Sequence, residues 1–272
     1  MAGPTVLSNV SPQCGEQLET IVKNVTMAVA KAHGQELAVR LLPTVTEAVL
    51  QALVNPVPVG SRESDAQRIV NAGQFLAGLG LMSGAAGNIS VLCEDGTVLI
   101  TPSGVRKGFL RPEQMVRIDL NGKVLSQGPQ KLSSEYQIHL QAYRSRSDVK
   151  AVVHTHPPHA TTFAACRMPL DRNVLAEGWM LTGGDIPVVP FGAPSTPKLA
   201  ENLIPYIKNH NCFLLANHGL MVVGQTLEQA VQVTETVEFL ARVQIQARAL
   251  GGEHPLNGAD IRAMEEVVNK KS

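Results

Sequence analysis

The sequence predicts a layered α/β protein in which much of the sheet is antiparallel. Short runs of β-forming residues are separated or followed by the tight-turn pairs "DG" and "NG", which are typical of hairpins. Stretches with apolar residues three and four positions apart precede and follow these runs, and such helices bury their apolar faces against a sheet. We expect a helical extension and linker over residues 1–60 and one main domain over residues 61–272.

The extension is predicted to contain two helices and a linker. In "EQLETIVKNVTMAVAKAH" the apolar residues from Leu18 to Ala32 recur at helical spacing and form one stripe. The pattern breaks at "GQE" and resumes in "LAVRLLPTVTEAVLQALV". The stretch "NPVPVGSRES" holds two prolines and a glycine, a composition that is typical of a linker.

The main domain is predicted to begin with a helix over "DAQRIVNAGQFLAGLGLM", followed by strands over "NISVLCE", "TVLIT" and "MVRIDL". A helix over "SSEYQIHLQAYRS" precedes the apolar strand "VKAVVHTH". The strand "IPVVPF" and the helix "PKLAENLIPYIKN" come next, and "CFLLAN" and "LMVVG" form a strand pair around a tight turn. A long helix over "TLEQAVQVTETVEFLARVQIQARAL" follows that pair.

Composition excludes several classes of function. Hydrophobic residues make up 44% and charged residues 17%, so the chain can bury a core. Lys+Arg and Asp+Glu both total 23, which argues against a nucleic-acid partner. We find no secretory signal and no apolar run of the roughly 20 residues that cross a bilayer. The four cysteines are scattered, as expected of reduced thiols in a cytoplasmic protein without a membrane partner.

Two histidine segments are candidates for a metal site. His154 and His156 lie two apart in the predicted strand "AVVHTH", so their side chains point to the same face, about 6–7 Å apart at the backbone. His218 lies in an "NHG" turn at the end of another apolar strand, and three imidazoles are a familiar ligand set for zinc. Taken singly, each segment also fits histidines that bond only to the protein. We expect His159, beyond two prolines, to lie outside the ligand set.

A carboxylate, a pair of serines and two small-residue loops are further candidates for catalysis and anion binding. Glu135 follows Ser133 and Ser134 at the predicted start of a helix, where hydroxyls and free N–H groups can bind an anion and the acid can exchange protons. The same pattern is also ordinary helix capping. The loops "SGAAGNIS" and "TPSG" contain glycines that let the backbone approach a ligand, but they are neither GxGxxG nor Walker loops and could be plain turns.

In this order, the motifs GxAGNIS, TPSG, SSE, HxH and NHG resemble those of the class II aldolase/adducin superfamily, which includes zinc-dependent sugar-phosphate lyases such as L-fuculose-phosphate aldolase. The resemblance runs from about residue 63 to about residue 250. It implies a three-layer α/β/α sandwich around a mostly antiparallel central sheet. It also implies a homotetramer with active sites at subunit interfaces.

The resemblance implies that His154, His156 and His218 bind one Zn²⁺ per subunit. Glu135 would be the catalytic carboxylate and could also ligate the metal. The substrate phosphate would be held by Gly87, Asn88, Ser103, Gly104, Ser133 and Ser134. The implied reaction is retro-aldol cleavage of a (deoxy)ketose 1-phosphate, such as L-fuculose 1-phosphate, to dihydroxyacetone phosphate and an aldehyde. Zinc would stabilise the enediolate as a Lewis acid, and Glu135 would act as its acid and base.

Other reactions on the same scaffold remain alternatives. Related epimerases carry Asp after the double serine, so Glu135 favours an aldolase or a dehydratase that resembles methylthioribulose-1-phosphate dehydratase. A non-catalytic module of the adducin kind is disfavoured because the three histidines and the glutamate are all present. Fuculose-phosphate aldolases use tyrosines near the aldehyde. Those of this chain, Tyr136, Tyr143 and Tyr206, lie elsewhere in the sequence, so the acid on the aldehyde side is unassigned.

The N-terminal extension has no counterpart in the compact family members. Its apolar stripe resembles the encapsulation peptides of bacterial microcompartment enzymes, so residues 15–32 could dock onto a shell or cargo protein and place the enzyme inside a microcompartment. The alternative is that these helices pack on the aldolase domain or at the oligomer interface.

Overall fold

The computed structural model describes residues 63–269, together with Met27 and Lys31, which are both helical. The chain separates into two compact units, Met1–Arg62 and Glu63–Ser272. Nearly all of the predicted N-terminal helices and their linker lie outside the described residues, so the extension over residues 1–60 stays a prediction. Among the helices of the described part, none has the length and apolar character needed to cross a membrane.

A single sheet organises the second unit. Within residues 63–269 its eight strands are β1 Asn88–Leu92, β2 Val98–Ile100, β3 Val116–Ile118, β4 Val124–Ser126, β5 Ala151–Thr155, β6 Val188–Val189, β7 Cys212–Leu215 and β8 Gly219–Gly224. They lie in the order β4-β3-β2-β1-β5-β8-β7-β6. Neighbouring strands are antiparallel, except that β6 and β7 are parallel. The predicted, mostly antiparallel sheet is confirmed.

Helices cover both faces of this sheet. The α-helices of the described residues are α1 Asp65–Gly78, α2 Tyr136–Ser145, α3 Pro158–Cys166, α4 Ala176–Leu181, α5 Pro197–Ile207, α6 Leu227–Ala249 and α7 Gly258–Asn269. Buried residues of α1, α3 and α6 form one core with one face of the sheet. Buried residues of α2 and α5 form a second core with the other face. These two cores make the predicted three-layer α/β/α sandwich.

Strand β8 shows how burial on both faces favours apolar residues. Leu220 and Val222 belong to the first core, whereas Met221 and Val223 belong to the second. All four side chains are buried, because helices cover the strand on both sides. A strand covered on both faces has no solvent-facing position, so it is uniformly apolar rather than alternating. All five residues of β5 are also buried, but this strand ends in the polar residues His154 and Thr155.

Several elements differ from the prediction. Strand β4 was missed because it is only three residues long, and all three residues are exposed. Strand β6 is only two residues long, and α4 and α7 were not predicted. Helix α3 was also not predicted, and Pro158 is its first residue. Proline suits that position because the first turn of a helix does not use its N–H.

The start of α3 is stabilised from a distant helix. Pro157 precedes α3 without a side-chain cap. Instead, the carboxylate of Glu238 on α6 accepts hydrogen bonds from the backbone N–H groups of His159 (3.0 and 3.1 Å) and Ala160 (2.8 Å). Its Oε1 also lies 2.6 Å from Nδ1 of His159. His159 therefore pairs with Glu238 and is not part of the group formed by His154, His156 and His218.

Candidate active site

The central strand β5 places two histidines at the candidate site. His154 is fully buried, and its Nδ1 lies 2.9 Å from the backbone oxygen of Leu220 on β8. A carbonyl oxygen only accepts hydrogen bonds, so Nδ1 donates and Nε2 keeps its lone pair. His156 follows the end of β5, and its Nε2 lies 3.1 Å from Nε2 of His154. The two rings thus face a common point.

The turn between β7 and β8 supplies the third histidine. Asn217 adopts a left-handed conformation with φ of 56°, which lets β7 reverse into β8 within a few residues. This reversal presents His218 beside β5. The three ring centroids are 4.7 to 5.0 Å apart, and one ligand nitrogen from each ring lies within 4.8 Å of the others. The structure thus brings together the three histidines that the sequence predicted.

Two glycines make room for this cluster. A Cβ atom on Gly219 would lie 2.5 Å from the backbone oxygen of Thr155 and 2.7 Å from Cδ2 of His156. Gly87 has a φ of 76°, and its Cβ would lie 2.8 Å from the backbone oxygen of His154. Such distances are too short for any side chain, so both positions require glycine for steric reasons. The need for Gly219 was not anticipated, because it depends on rings that lie about 60 residues earlier in the chain.

Glu135 faces two of the three histidines. It occupies the N-cap position of α2, just before Tyr136, rather than the first turn that was predicted. Its Oε2 lies 3.4 Å from Nε2 of His154, and its Oε1 lies 3.2 Å from Nε2 of His218. Burial alone would raise the pKa of this carboxyl, but the adjacent imidazoles outweigh burial and hold the pKa well below its usual range. Glu135 is therefore a buried carboxylate beside the histidine cluster.

The donor set fits a divalent metal ion. Burial, together with the charges that His154 and His218 can carry, lowers the pKa of His156 to about 4, so its ring is neutral near pH 7. Neutral imidazoles are the form that binds metals. Oε1 of Glu135 is buried, and its contact with Nε2 of His218 at 3.2 Å does not have hydrogen-bond geometry. Three imidazoles and one carboxylate oxygen match a four-ligand site for zinc or a similar ion.

The predicted phosphate-binding residues lie in adjoining segments. An isolated β-bridge pairs Pro102 with Leu132, and the N–H of Ser103 donates to the oxygen of Lys131 at 2.9 Å. These contacts bring the loop with Ser103 and Gly104 beside the segment with Ser133 and Ser134. Ser103, Gly104 and Ser134 are exposed, whereas Gly87, Asn88 and Ser133 are buried.

A buried lysine joins two of these segments and was not predicted. The Nζ of Lys107 donates to the backbone oxygens of Ala85 and Val105, both at 2.9 Å. The residue is only 1% exposed. Burial lowers the pKa of Lys107 to about 8, while the negative charge of Glu135 opposes that shift. Lys107 thus ties the loop before Gly87 to the loop after Gly104.

Asn88 contacts the catalytic candidate directly. Its Nδ2 donates to Oε2 of Glu135 at 3.0 Å, and its Oδ1 pairs with Nε2 of His139. Asn88 is opposite His154 in the β1–β5 pairing, so the sheet itself sets its position. His139 is fully buried one helical turn after Glu135, and neither it nor its neighbour Ser90 was singled out from the sequence. A signal existed, since Glu135, His139 and Tyr143 are spaced by four residues and share one helix face.

Comparison with known proteins identifies the class of enzyme. Residues 67–245 match the family described as Class II Aldolase and Adducin N-terminal domain. The chain therefore belongs to the class II aldolase and adducin family, as its ordered motifs indicated. Class II aldolases are metal-dependent, in agreement with the three-histidine cluster. The match and the named relatives below make this chain an enzyme of the class II aldolase type, a lyase.

The chain is 34% identical over 192 residues to 5-deoxy-D-ribulose 1-phosphate aldolase of Bacillus thuringiensis serovar kurstaki, covering 70% of this chain and 88% of that protein. It is 37% identical over 185 residues to 5-methylthioribulose-1-phosphate/5-deoxyribulose-1-phosphate aldolase of Rhodospirillum rubrum, with coverages of 67% and 80%. A solved structure of L-fuculose 1-phosphate aldolase superimposes with a TM-score of 0.68 at 30% identity, covering 77% of this chain and 100% of that one.

Proposed function

We propose that this chain is a Zn²⁺-dependent aldolase that cleaves a deoxyketose 1-phosphate to dihydroxyacetone phosphate and an aldehyde. The observation that carries the proposal is the contact of one buried carboxylate, Glu135, with both His154 and His218 in the three-histidine cluster. His154, His156 and His218 would hold the metal, with Glu135 as a further ligand when no substrate is bound. When bound, Zn²⁺ would supply Lewis-acid chemistry at the substrate oxygens.

Glu135 would carry the proton in this reaction. Cleavage between C3 and C4 leaves negative charge on the dihydroxyacetone phosphate half, and this half must gain a proton before it leaves. A carboxylate beside the metal ligands is placed to give a proton to C3 of this half, while the proton of the C4 hydroxyl goes to the unassigned group on the aldehyde side. The low pKa of Glu135 keeps it ionised in the free site, which is the form that would take the proton from C3 in the reverse, condensing direction.

The phosphate would be bound by neutral groups above a buried cation. The hydroxyls of Ser103, Ser133 and Ser134 and the N–H groups near Gly87 and Gly104 are suited to an anion, and Asn88 has one amide N–H that Glu135 does not use. Lys107 lies under the same loops. Holding the phosphate at one end would orient C3 and C4 relative to Glu135.

We propose 5-deoxy-D-ribulose 1-phosphate ahead of L-fuculose 1-phosphate as substrate. Two relatives at 34% and 37% identity are named for the first sugar. Its cleavage releases acetaldehyde, whereas L-fuculose 1-phosphate releases lactaldehyde, which carries an additional hydroxyl that needs a partner. Of the tyrosines, Tyr143 is buried in the core beside Ser90. An aldehyde without a further hydroxyl suits a chain without the family's tyrosines in the expected places.

Product analysis tests the reaction. Purified protein with zinc is incubated with each sugar phosphate, and dihydroxyacetone phosphate is measured by NADH oxidation with glycerol-3-phosphate dehydrogenase. We expect release from 5-deoxy-D-ribulose 1-phosphate, loss of at least about 100-fold in Glu135→Gln, and no loss in the exposed control Glu201→Gln. Loss of water with an intact carbon skeleton would identify the dehydratase alternative instead, and inversion at C4 would identify an epimerase.

Two further predictions concern assembly. We propose a homotetramer, in line with the family resemblance, and light scattering during gel filtration would measure its mass. The docking of residues 15–32 on a microcompartment shell or cargo protein falls outside the described residues and stays a prediction. Deletion of residues 1–55 tests it, because unchanged co-assembly with shell proteins would show that the segment does not dock.

A further inference from the structure

A buried chain of hydrogen bonds runs from Tyr143 to Glu135. The hydroxyl oxygens of Tyr143 and Ser90 lie 2.7 Å apart. The hydroxyl of Ser90 also lies 2.7 Å from Nδ1 of His139. Nε2 of His139 pairs with Oδ1 of Asn88, whose Nδ2 donates to Glu135 at 3.0 Å. The four residues that lead to Glu135 are at most 5% exposed, so water does not compete for these contacts.

The carboxylate fixes the direction of every bond in this chain. An ionised carboxylate only accepts, so the NH₂ group of Asn88 faces Glu135 and its carbonyl faces His139. A carbonyl also only accepts, so Nε2 of His139 carries the proton. In a neutral ring Nδ1 is then an acceptor, and the Ser90 hydroxyl donates to it. Ser90 has no second proton, so the Tyr143 hydroxyl donates to Ser90.

The ring of His139 is neutral because it is buried without an anionic partner. Its two ring nitrogens contact a hydroxyl and an amide, and the residue is fully buried. A charge there would lack compensation. Burial, followed by the charge of His154, lowers the pKa of His139 to about 3, against the opposing effect of Glu135. The other tautomer would turn the Asn88 carbonyl toward the Glu135 carboxylate and place two acceptors together.

We propose that His139, as the neutral Nε2–H tautomer, is a positioning residue that orients the Asn88 amide and through it the Glu135 carboxylate. The inference deepens the proposed function and rests on Glu135 as the acid and base. Asn88, expected only as a phosphate ligand, thereby has a second role, because one amide N–H holds Oε2 of Glu135 while the other stays available to the substrate. The two ring nitrogens of His139 bond to Ser90 and Asn88, so the ring acts on Glu135 only through Asn88.

Nitrogen-15 NMR tests the tautomer without any turnover. The full-length, zinc-loaded protein is labelled with ¹⁵N-histidine, and the His139 ring is assigned by the signals that disappear in His139→Gln. We expect a pyrrole-type shift for Nε2 and a pyridine-type shift for Nδ1, unchanged between pH 6 and pH 9. A protonated Nδ1, alone or together with Nε2, would overturn the proposal whatever reaction the enzyme catalyses.

Kinetics test the positioning role. Glutamine places an amide N–H near the position of Nε2, whereas leucine fills the space without a donor. With 5-deoxy-D-ribulose 1-phosphate as the probe, we expect His139→Leu to lower kcat about 10- to 100-fold with KM within about twofold of wild type. His139→Gln should recover most of that loss. Equal losses in both variants, or a loss confined to KM, would contradict the proposal.

Two more variants separate positioning from stability. Ile138→Val removes buried volume at the neighbouring position of α2 and should leave kcat unchanged while lowering the melting temperature. Ser90→Ala removes the donor to Nδ1 and should lower kcat to a value between those of wild type and His139→Leu; it replaces the leucine variant if that one does not fold. A wild type that turns over no sugar phosphate would refute the proposed function, and the NMR experiment would still decide on the tautomer.

Discussion

At the scale of single residues, the site depends on which ring nitrogen of His154 is free to bind a metal ion. The backbone oxygen of Leu220 uses the Nδ1 proton of His154, so Nε2 faces Glu135 and the other two rings. The histidines and Glu135 were predictable because chemistry limits which residue types bind metals and the family motifs give their order. Gly219, Lys107 and His139 were not predicted, because each is required by atoms that lie far away in the sequence and are brought close only by the fold.

Gly219 gives the first prediction. In Gly219→Ala the new Cβ would meet Thr155 and the ring of His156, so we expect that ring to shift and zinc occupancy and activity to fall at least about tenfold. Metal analysis by mass spectrometry checks this. The control is Gly78→Ala in α1, where a Cβ meets nothing within 4 Å. That variant should keep its zinc and gain about 0.5–1 kcal/mol of stability. Full occupancy in Gly219→Ala would contradict the steric argument.

At the scale of elements, the start of α3 depends on α6. Replacing Glu238 by Ala leaves the buried N–H of Ala160 and that of His159 without an acceptor. We expect the free energy of unfolding to fall by about 2 kcal/mol. Urea titration followed by circular dichroism measures the change, and the exposed Glu201→Gln is the control. The local sequence could not predict this cap, since the residues involved are 78 and 79 positions apart.

Lys107 joins loops rather than helices. In Lys107→Met the aliphatic stem remains but the bonds to Ala85 and Val105 are lost. We expect the two loops to separate and KM for the sugar phosphate to rise about tenfold, with a smaller change in kcat. Inhibition by inorganic phosphate should weaken by a similar factor. Lys198→Met removes an exposed lysine and should change neither value. A fall in kcat alone would place Lys107 outside phosphate binding.

At the scale of the whole molecule, a layered α/β architecture was predictable because periodicity distinguishes helices from strands and tight turns indicate antiparallel pairing, whereas the three layers were implied by the family resemblance. Strand β4 escaped prediction because three residues carry no periodic signal, and β6, which was predicted within "IPVVPF", is only two residues long. The parallel pairing of β6 with β7 was also not predicted, because helix α5 connects these strands and replaces a hairpin. Local patterns therefore define the elements, while the order of strands depends on how the connections cross the sheet.

Metal removal is predicted to destabilise the whole domain. A ligand that binds only the folded state adds stability, about 2.7 kcal/mol at a free concentration of 100 times Kd. Dipicolinate treatment should thus lower the melting temperature, and Zn²⁺ should restore it. His154→Ala lacks a ligand, so chelator and zinc should leave its melting temperature unchanged. An equal response in the variant and the wild type would show that zinc acts elsewhere.

The central position of β5 has a consequence for the order in which the protein forms. Its partners β1 and β8 lie about 60 residues before it and about 70 residues after it, so neither pairing is local in sequence. Such long-range pairings form slowly, because the entropy of closing a large loop is lost before the new contacts can compensate for it. A growing chain that ends before His218 holds two of the three histidines and no completed site. Metal capture would therefore report that synthesis has passed β8 and that the sheet has closed.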